Sequence, residues 1–130
     1  MEMKKNLSDG EWRLMRALWE RGASSVGELV RLLQAETGWN KSTIHIMLSR
    51  MAEKGAVRVD DSARPKRYVP LWERDSAAVR ETRSFLSRVY GGSIGSMMTC
   101  MVGSQELSQE EIDELYAILR AAERGGEHDA

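Results

Sequence analysis

Apolar residues return at helical spacing in three successive stretches near the start of the chain. These are Trp12, Met15, Leu18 and Trp19, then Val26, Leu29, Val30 and Leu33, then Ile44, Met47, Leu48 and Met51. Helix starts and stops lie between them. Ser8 and Glu11 have the spacing of a capping box, Leu7 and Trp12 hold the two staple positions around it, and Arg21-Gly22 closes the first stretch. Ser25 and Glu28 repeat the box before the second stretch, which Thr37-Gly38 ends. Asn40 is a good N-cap for the third, and Gly55 stands where a helix end wants a left-handed residue. Three short helices joined by tight turns are the layout of a helix-turn-helix domain whose third helix reads DNA, and equally of a plain three-helix bundle.

The third stretch, residues 40–54, weighs between those two. At about 100° per residue, Ser42, Thr43, His45, Ile46, Ser49 and Arg50 project away from its apolar stripe, and Lys41 and Lys54 sit near its ends. An ordinary solvated face is richer in Glu and Lys. Short hydroxyls and a guanidinium hydrogen-bond base edges, and an alkyl group packs on a thymine methyl.

Helical periodicity breaks over residues 56–71. Ala56–Val59 and Arg67–Val69 are β-prone, and Asp60–Lys66 between them is a polar turn, which together predict a two-stranded hairpin. Arg64, Lys66 and Arg67 lie at its tip, and Pro65 stiffens it. A basic hairpin directly after a reading helix is a wing placed to reach phosphates or a minor groove; the same cations would also serve to solubilise a loop.

The pattern changes again after Trp72. Residues 73–90 read as one long charged helix with Val79, Leu86 and Val89 on one side and Phe85 and Tyr90 beside them, ended by Gly91-Gly92. Ser93 caps a short segment in which Ile94, Met97, Met98 and Met101 repeat at helical spacing. Leu107-Ser108-x-x-Glu111-Ile112 is a third capping box with its staple, opening a last helix that carries Ile112, Leu115, Tyr116 and Leu119 on one face. These narrow stripes are too few for a separate core and too apolar to stand in water. A second copy of the chain is the simplest cover, and folding back on the first three helices is the alternative. The expected organisation is mainly α with a small β-hairpin: a winged helix-turn-helix domain over 1–72, a three-helix dimerisation domain over 73–123, and a flexible tail over 124–130.

Composition adds a charge asymmetry. The 130 residues carry a formal charge of only −1. Residues 1–74 hold 14 Lys and Arg against 10 Asp and Glu, a balance of +4, whereas residues 75–130 hold 5 against 10, a balance of −5. A basic front half facing nucleic acid and an acidic back half fit that division. No apolar region follows the lysines of Met1–Asn6 and no run of 18 apolar residues occurs, so neither a signal peptide nor membrane insertion is expected. Cys100 is the single cysteine, which suits a cytoplasmic location. With His45 and His128 far apart, no metal motif can be written, and no cofactor is expected. No Ser/His/Asp set, phosphate loop, HExxH or paired-carboxylate site is legible, so an enzyme is not expected; Glu110, Glu111, Asp113 and Glu114 suit the dipole of a helix start.

Taken in order, a string of short motifs resembles the penicillinase-repressor and methicillin-resistance-repressor family (BlaI/MecI type), which includes copper-responsive relatives. The likeness covers residues 7–122. It rests on Leu-Ser-Asp-x-Glu-Trp at 7–12, Leu-Trp at 18–19, Trp39 before Ser42-Thr43-Ile44, Leu48-Ser49-Arg50 and Lys54-Gly55. It continues through Tyr68-x-Pro70-Leu71, Phe85-Leu86, Tyr90-Gly91-Gly92-Ser93 and Leu107-Ser108. The resemblance implies a winged-helix repressor that binds palindromic double-stranded DNA operators as a homodimer. It also implies release when a membrane receptor with metalloprotease activity leads to a cut in the dimerisation domain.

Three positions depart from the family. Ile46 stands where relatives commonly have threonine, which favours an apolar contact to thymine, and His45 stands where they are often basic. The favoured cleavage pair is Asn-Phe, and Cys100-Met101 occupies that place here. The Cys-x-Cys motifs of the copper-responsive members are missing. Two other functions stay open at this point. One is a protein-interaction module anchored by Ile46. The other is a thiol- or Cu(I)-responsive regulator acting through Cys100 and the neighbouring methionines, although methionines at helical spacing and a lone cysteine are more often simple buried packing.

Overall fold

The computed structural model describes residues 6–129, with side chains through residue 126. Met1–Lys5, part of the segment read for a leader, the side chain of His128, and Ala130 of the expected tail lie outside the described residues. Six helices and one hairpin follow in order. They are α1 (Asp9–Arg21), α2 (Val26–Thr37), α3 (Lys41–Glu53), β1 (Val57–Asp60), β2 (Arg67–Pro70), α4 (Arg74–Tyr90), α5 (Ile94–Gly103) and α6 (Gln109–Asp129). The chain divides into two compact units, Met1–Glu81 and Thr82–Ala130, so the division falls inside α4.

Local side-chain chemistry starts each of the first three helices. Ser8 Oγ accepts from Glu11 N at 3.2 Å while Glu11 Oε1 accepts from Ser8 N at 2.9 Å. Ser25 and Glu28 repeat the exchange at 3.2 and 2.8 Å. Asn40 Oδ1 accepts from Thr43 N at 2.9 Å. Each cap satisfies amide groups that have no partner within the helix, a contribution of about 1 kcal/mol apiece. The end of α3 needs Gly55, whose φ of +81° lets the chain turn so that Ala56 N donates to Met51 O and enters the hairpin.

The first unit is a winged helix-turn-helix. Leu14, Met15 and Leu18 from α1, Leu29 and Leu33 from α2, and Ile44, Leu48 and Met51 from α3 close a core with Ala56, Val57 and Tyr68 from the wing. Leu14, outside the stripe read from the sequence, is fully buried, whereas Trp12 and Trp19 stand at the rim with ring centroids 5.9 Å apart. An indole is too large for the centre of three short helices, and Trp19 uses its rim place to donate from Nε1 to Trp72 O at 3.0 Å. Gly10 lets α1 approach α3 closely: a Cβ there would lie 2.9 Å from Met47 Sδ.

The hairpin is antiparallel, with Val57 opposite Pro70, Arg58 opposite Val69, Val59 opposite Tyr68 and Asp60 opposite Arg67. One pairing extends it. Ser24, in the turn between α1 and α2, exchanges both backbone hydrogen bonds with Tyr68 at 2.8 and 3.1 Å, so β2 lies between β1 and a single-residue bridge. Buried Ser24 therefore ties the wing to the helix pair.

In the second unit, helix α5 is capped by Ser93 and α6 by a reciprocal Ser108–Glu111 box at 2.9 and 3.1 Å. Helix α6 runs to Asp129 rather than ending near Gly125-Gly126, so the tail expected over 124–130 is helical as far as it is described. Neither glycine has a positive φ. Each costs a helix only about 1 kcal/mol relative to alanine, a weakening and not a stop.

Candidate nucleic-acid interface

Helix α3 is fixed on one side and open on the other. Ile44, Leu48 and Met51 are fully buried and Met47 packs half-buried beside them, so the helix cannot roll without opening the core. Lys41, Ser42, His45, Ile46, Ser49 and Arg50 are all exposed. Ser42, His45, Ile46 and Ser49 stand at i, i+3, i+4 and i+7 and form a single row. Thr43 is half-buried at the edge of that row. At 1.5 Å per residue, Lys41 to Arg50 spans about 13 Å, roughly four base pairs along a groove. Ile46 keeps 51% of its surface exposed, a large apolar side chain in the middle of a polar row.

Val26, from the start of α2, joins this face. With Lys41, Ser42, His45 and Ile46 it lines an open depression of about 350 Å³. Residue 26 was legible in the sequence only as part of the α2 stripe; no local pattern places it beside Ile46, because the two meet through the crossing of α2 and α3.

Hydrogen bonds order the tip of the wing. Asp60 Oδ1 accepts from Ser62 Oγ at 2.6 Å and Ser62 N at 3.0 Å, and these bonds hold the Asp60 carboxyl below its ordinary pKa. Arg64 curls back to the carbonyls of Asp61 and Ala63, at 2.8 and 3.2 Å, beside a cis Arg64–Pro65 peptide. Arg67 Nη1 donates to Ala23 O at 3.0 Å, which sets its guanidinium against the α1–α2 turn. Lys66 has no hydrogen bond or ion pair among the described residues and is exposed. Exposed Arg58 on β1, opposite Val69, adds a wing cation outside the set read from the sequence.

Lys54 differs from the rest. Its Nζ lies 2.6 Å from Glu11 Oε1 and 2.8 Å from Asn6 O, tying the end of α3 to the start of α1. That ammonium is committed within the protein, while Lys41, Arg50 and Lys66 make no side-chain hydrogen bond or ion pair among the described residues.

The residues expected to pair two chains divide by burial. Leu86 is buried; Met97, Met98, Met101, Ile112, Leu115 and Tyr90 are half-buried. Val79, Phe85, Val89, Ile94, Tyr116 and Leu119 are each at least 40% exposed, as are Val102 and Ile118, which the sequence reading omitted. Tyr90 packs edge-on to Phe85 with centroids 6.0 Å apart, and the neighbouring Cys100 side chain raises the Tyr90 pKa. Cys100 is exposed, contrary to the simple buried packing expected of a lone cysteine; its place on α5 turns it outward. The Cys100–Met101 pair lies inside α5. Among the described residues no cluster of His, Cys, Asp and Glu has the makings of a metal site, and no helix is long and apolar enough to cross a membrane.

The chain is 34% identical over 119 residues to a penicillinase repressor of Bacillus licheniformis, covering 90% of this chain and 93% of that one. It is 27% identical over 113 residues to the methicillin resistance regulatory protein MecI of Staphylococcus aureus, covering 87% and 92%. A solved structure, a MarR family protein from Bacillus stearothermophilus, superposes with a TM-score of 0.48 at 19% identity, covering 92% of this chain and 74% of that one. Residues 7–121 match the family described as penicillinase repressor. The chain is a member of the penicillinase repressor family of transcriptional repressors.

Proposed function

We propose that the protein represses transcription as a homodimer seated on a palindromic operator, with α3 of each copy in the major groove and each wing on the adjacent backbone. The observation that carries this reading is the free outer row of α3, cationic at Lys41 and Arg50, on a helix whose opposite side is locked into the core. Phosphate contacts from Lys41, Arg50, Lys66 and the wing arginines supply affinity; Ser42, Thr43, His45, Ile46 and Ser49 discriminate bases. Occupying the promoter excludes polymerase, and no chemistry on the DNA is required.

The second unit supports the homodimer. Leu86 is its one buried hydrophobic among the described residues, and exposed apolar side chains stand along α4, α5 and α6. A surface that apolar wants a cover, and a second copy supplies one with the two-fold symmetry of a palindrome. Release by a regulatory protease cutting at Cys100-Met101 completes the proposal.

Binding-site selection from random duplexes, followed by titration against salt and sedimentation of the complex, tests it. A palindromic site bound by two chains, with affinity falling by about 0.9 log units per contacted phosphate for each log unit of salt, is the expected result. Weak binding with no enriched site would overturn it and favour a protein partner for Ile46.

A further inference from the structure

The depression at the junction of α2 and α3 has walls of unlike chemistry. Val26 and Ile46 form an apolar side, although both belong to a face that is otherwise polar. Ser42 stands one turn before Ile46, His45 stands beside it, and Lys41 closes the rim. Val26 is half-buried and packs against the core, so its position is fixed, while Ile46 projects from the helix with half its surface free. A solvated helix gains nothing from two branched aliphatic side chains placed together at its surface. Against duplex DNA they gain a partner: the thymine C5-methyl is the one apolar group on a base edge in the major groove. The cation at the rim complements the phosphate that flanks any base presented there.

Resting on the DNA-binding reading above, we propose that Val26 and Ile46 together form a subsite for the C5-methyl of one thymine in each operator half-site. Ile46 supplies the exposed wall and Val26 the half-buried one. Ser42 remains within the same row to hydrogen-bond the neighbouring base edge. Residue 26 is thus a specificity-determining position although it lies outside the reading helix.

The test replaces thymine by deoxyuridine, one position at a time, in the site enriched by selection. Deoxyuridine keeps every Watson–Crick and groove hydrogen bond and removes only the methyl. One position per half-site should lose affinity about four-fold on replacement, the effect of one buried methyl-sized group. At that position Ile46→Ala should narrow the difference between the thymine and deoxyuridine duplexes, and Ile46→Ala combined with Val26→Ala should remove it. Ile46 is surface-exposed, so this variant keeps the fold; Val26→Ala, read the same way, should narrow the discrimination, and its circular dichroism shows whether it has folded. Deoxyuridine tolerated at every position of a specifically bound site would overturn the subsite and leave the repressor reading intact. Discrimination undiminished in Ile46→Ala would also overturn it, by placing the methyl elsewhere. Failure to enrich any site would remove both.

Discussion

Lys54 closes on Glu11 across 43 residues of sequence, with Nζ 2.6 Å from Oε1, and it does so against a carboxylate that is only 2% exposed. The same Oε1 accepts from Ser8 N, so one oxygen serves the α1 cap and anchors the C-terminal end of α3. Removing one partner of a buried pair leaves an uncompensated charge, which costs about 3–5 kcal/mol when both groups are buried. The lysine side chain is 29% exposed, so water would recover part of that loss. Lys54→Met should lower unfolding stability by about 2 kcal/mol, read from denaturant midpoints at unchanged m-value.

The same pair separates Lys54 from the other cations of the front face. Lys41→Ala or Lys66→Ala should reduce the slope of log affinity against log salt by about 0.9, the release of one phosphate counterion. Lys54→Met should leave the slope nearly unchanged, because its ammonium is already held by Glu11 and Asn6 O. A slope reduced by Lys54→Met as much as by Lys66→Ala would mean that Lys54 leaves Glu11 on the DNA.

Much of this arrangement was legible in the sequence, for a physical reason. Caps such as Ser8–Glu11 and Ser25–Glu28 act over three residues, and the outer row of α3 follows from its period, so both are written locally. What was hidden depends on pairs far apart in the chain. The Lys54–Glu11 ion pair, the Ser24–Tyr68 bridge and the meeting of Val26 with Ile46 exist only once helices cross. The continuation of α6 through Gly125-Gly126 was hidden differently: a propensity cost lowers the odds of a helix without forbidding it.

Three carboxyls, Glu73 exposed and Glu28 and Asp60 half-buried, are held below their ordinary pKa values by short-range hydrogen bonds. Glu28, ordinarily 4.5, is lowered chiefly by the Ser25 amide; Glu73, ordinarily 4.5, by the Ser76 amide; and Asp60, ordinarily 3.8, by the Ser62 hydroxyl. A carboxyl whose pKa is depressed on folding adds stability above its unfolded value and loses it as pH falls through the folded one. Stability should therefore decline on acidification below about pH 4.5. Glu28→Gln keeps a residue able to complete the capping box but unable to titrate, and should flatten part of that decline in urea unfolding at pH 7 and pH 3.

Leu119 is 61% exposed and Tyr116 56%, one turn apart on α6, on an apolar face of which Ile112 and Leu115 are only half-buried. If a second copy covers them, a charge there must be buried unpaired at the interface. Leu119→Glu should shift sedimentation from dimer to monomer. Affinity for a full operator should fall to that for a half-site, because the gain from linking two readers is lost. Thermal unfolding of the winged helix itself should change little. A variant that stays dimeric would place the interface elsewhere on the second unit.

The bond between Cys100 and Met101 lies in the last turn of α5, where a protease that binds extended chain has no access until the helix opens. Opening is opposed at the N-terminal end by Ser93, whose Oγ accepts from Ser96 N at 2.9 Å, and at the C-terminal end by bonds from Ser104 N to Cys100 O and Glu106 N to Met101 O. Both carbonyls of the candidate pair are thus engaged. Loss of an N-cap costs about 1 kcal/mol. When opening and closing are faster than cutting, the rate follows the open population, so Ser93→Ala should raise cleavage within α5 about five-fold. Limited proteolysis with a broad-specificity protease, with fragments identified by mass, measures it. Equal rates in the parent and Ser93→Ala proteins would mean that α5 is cut without unwinding from its N-terminal end.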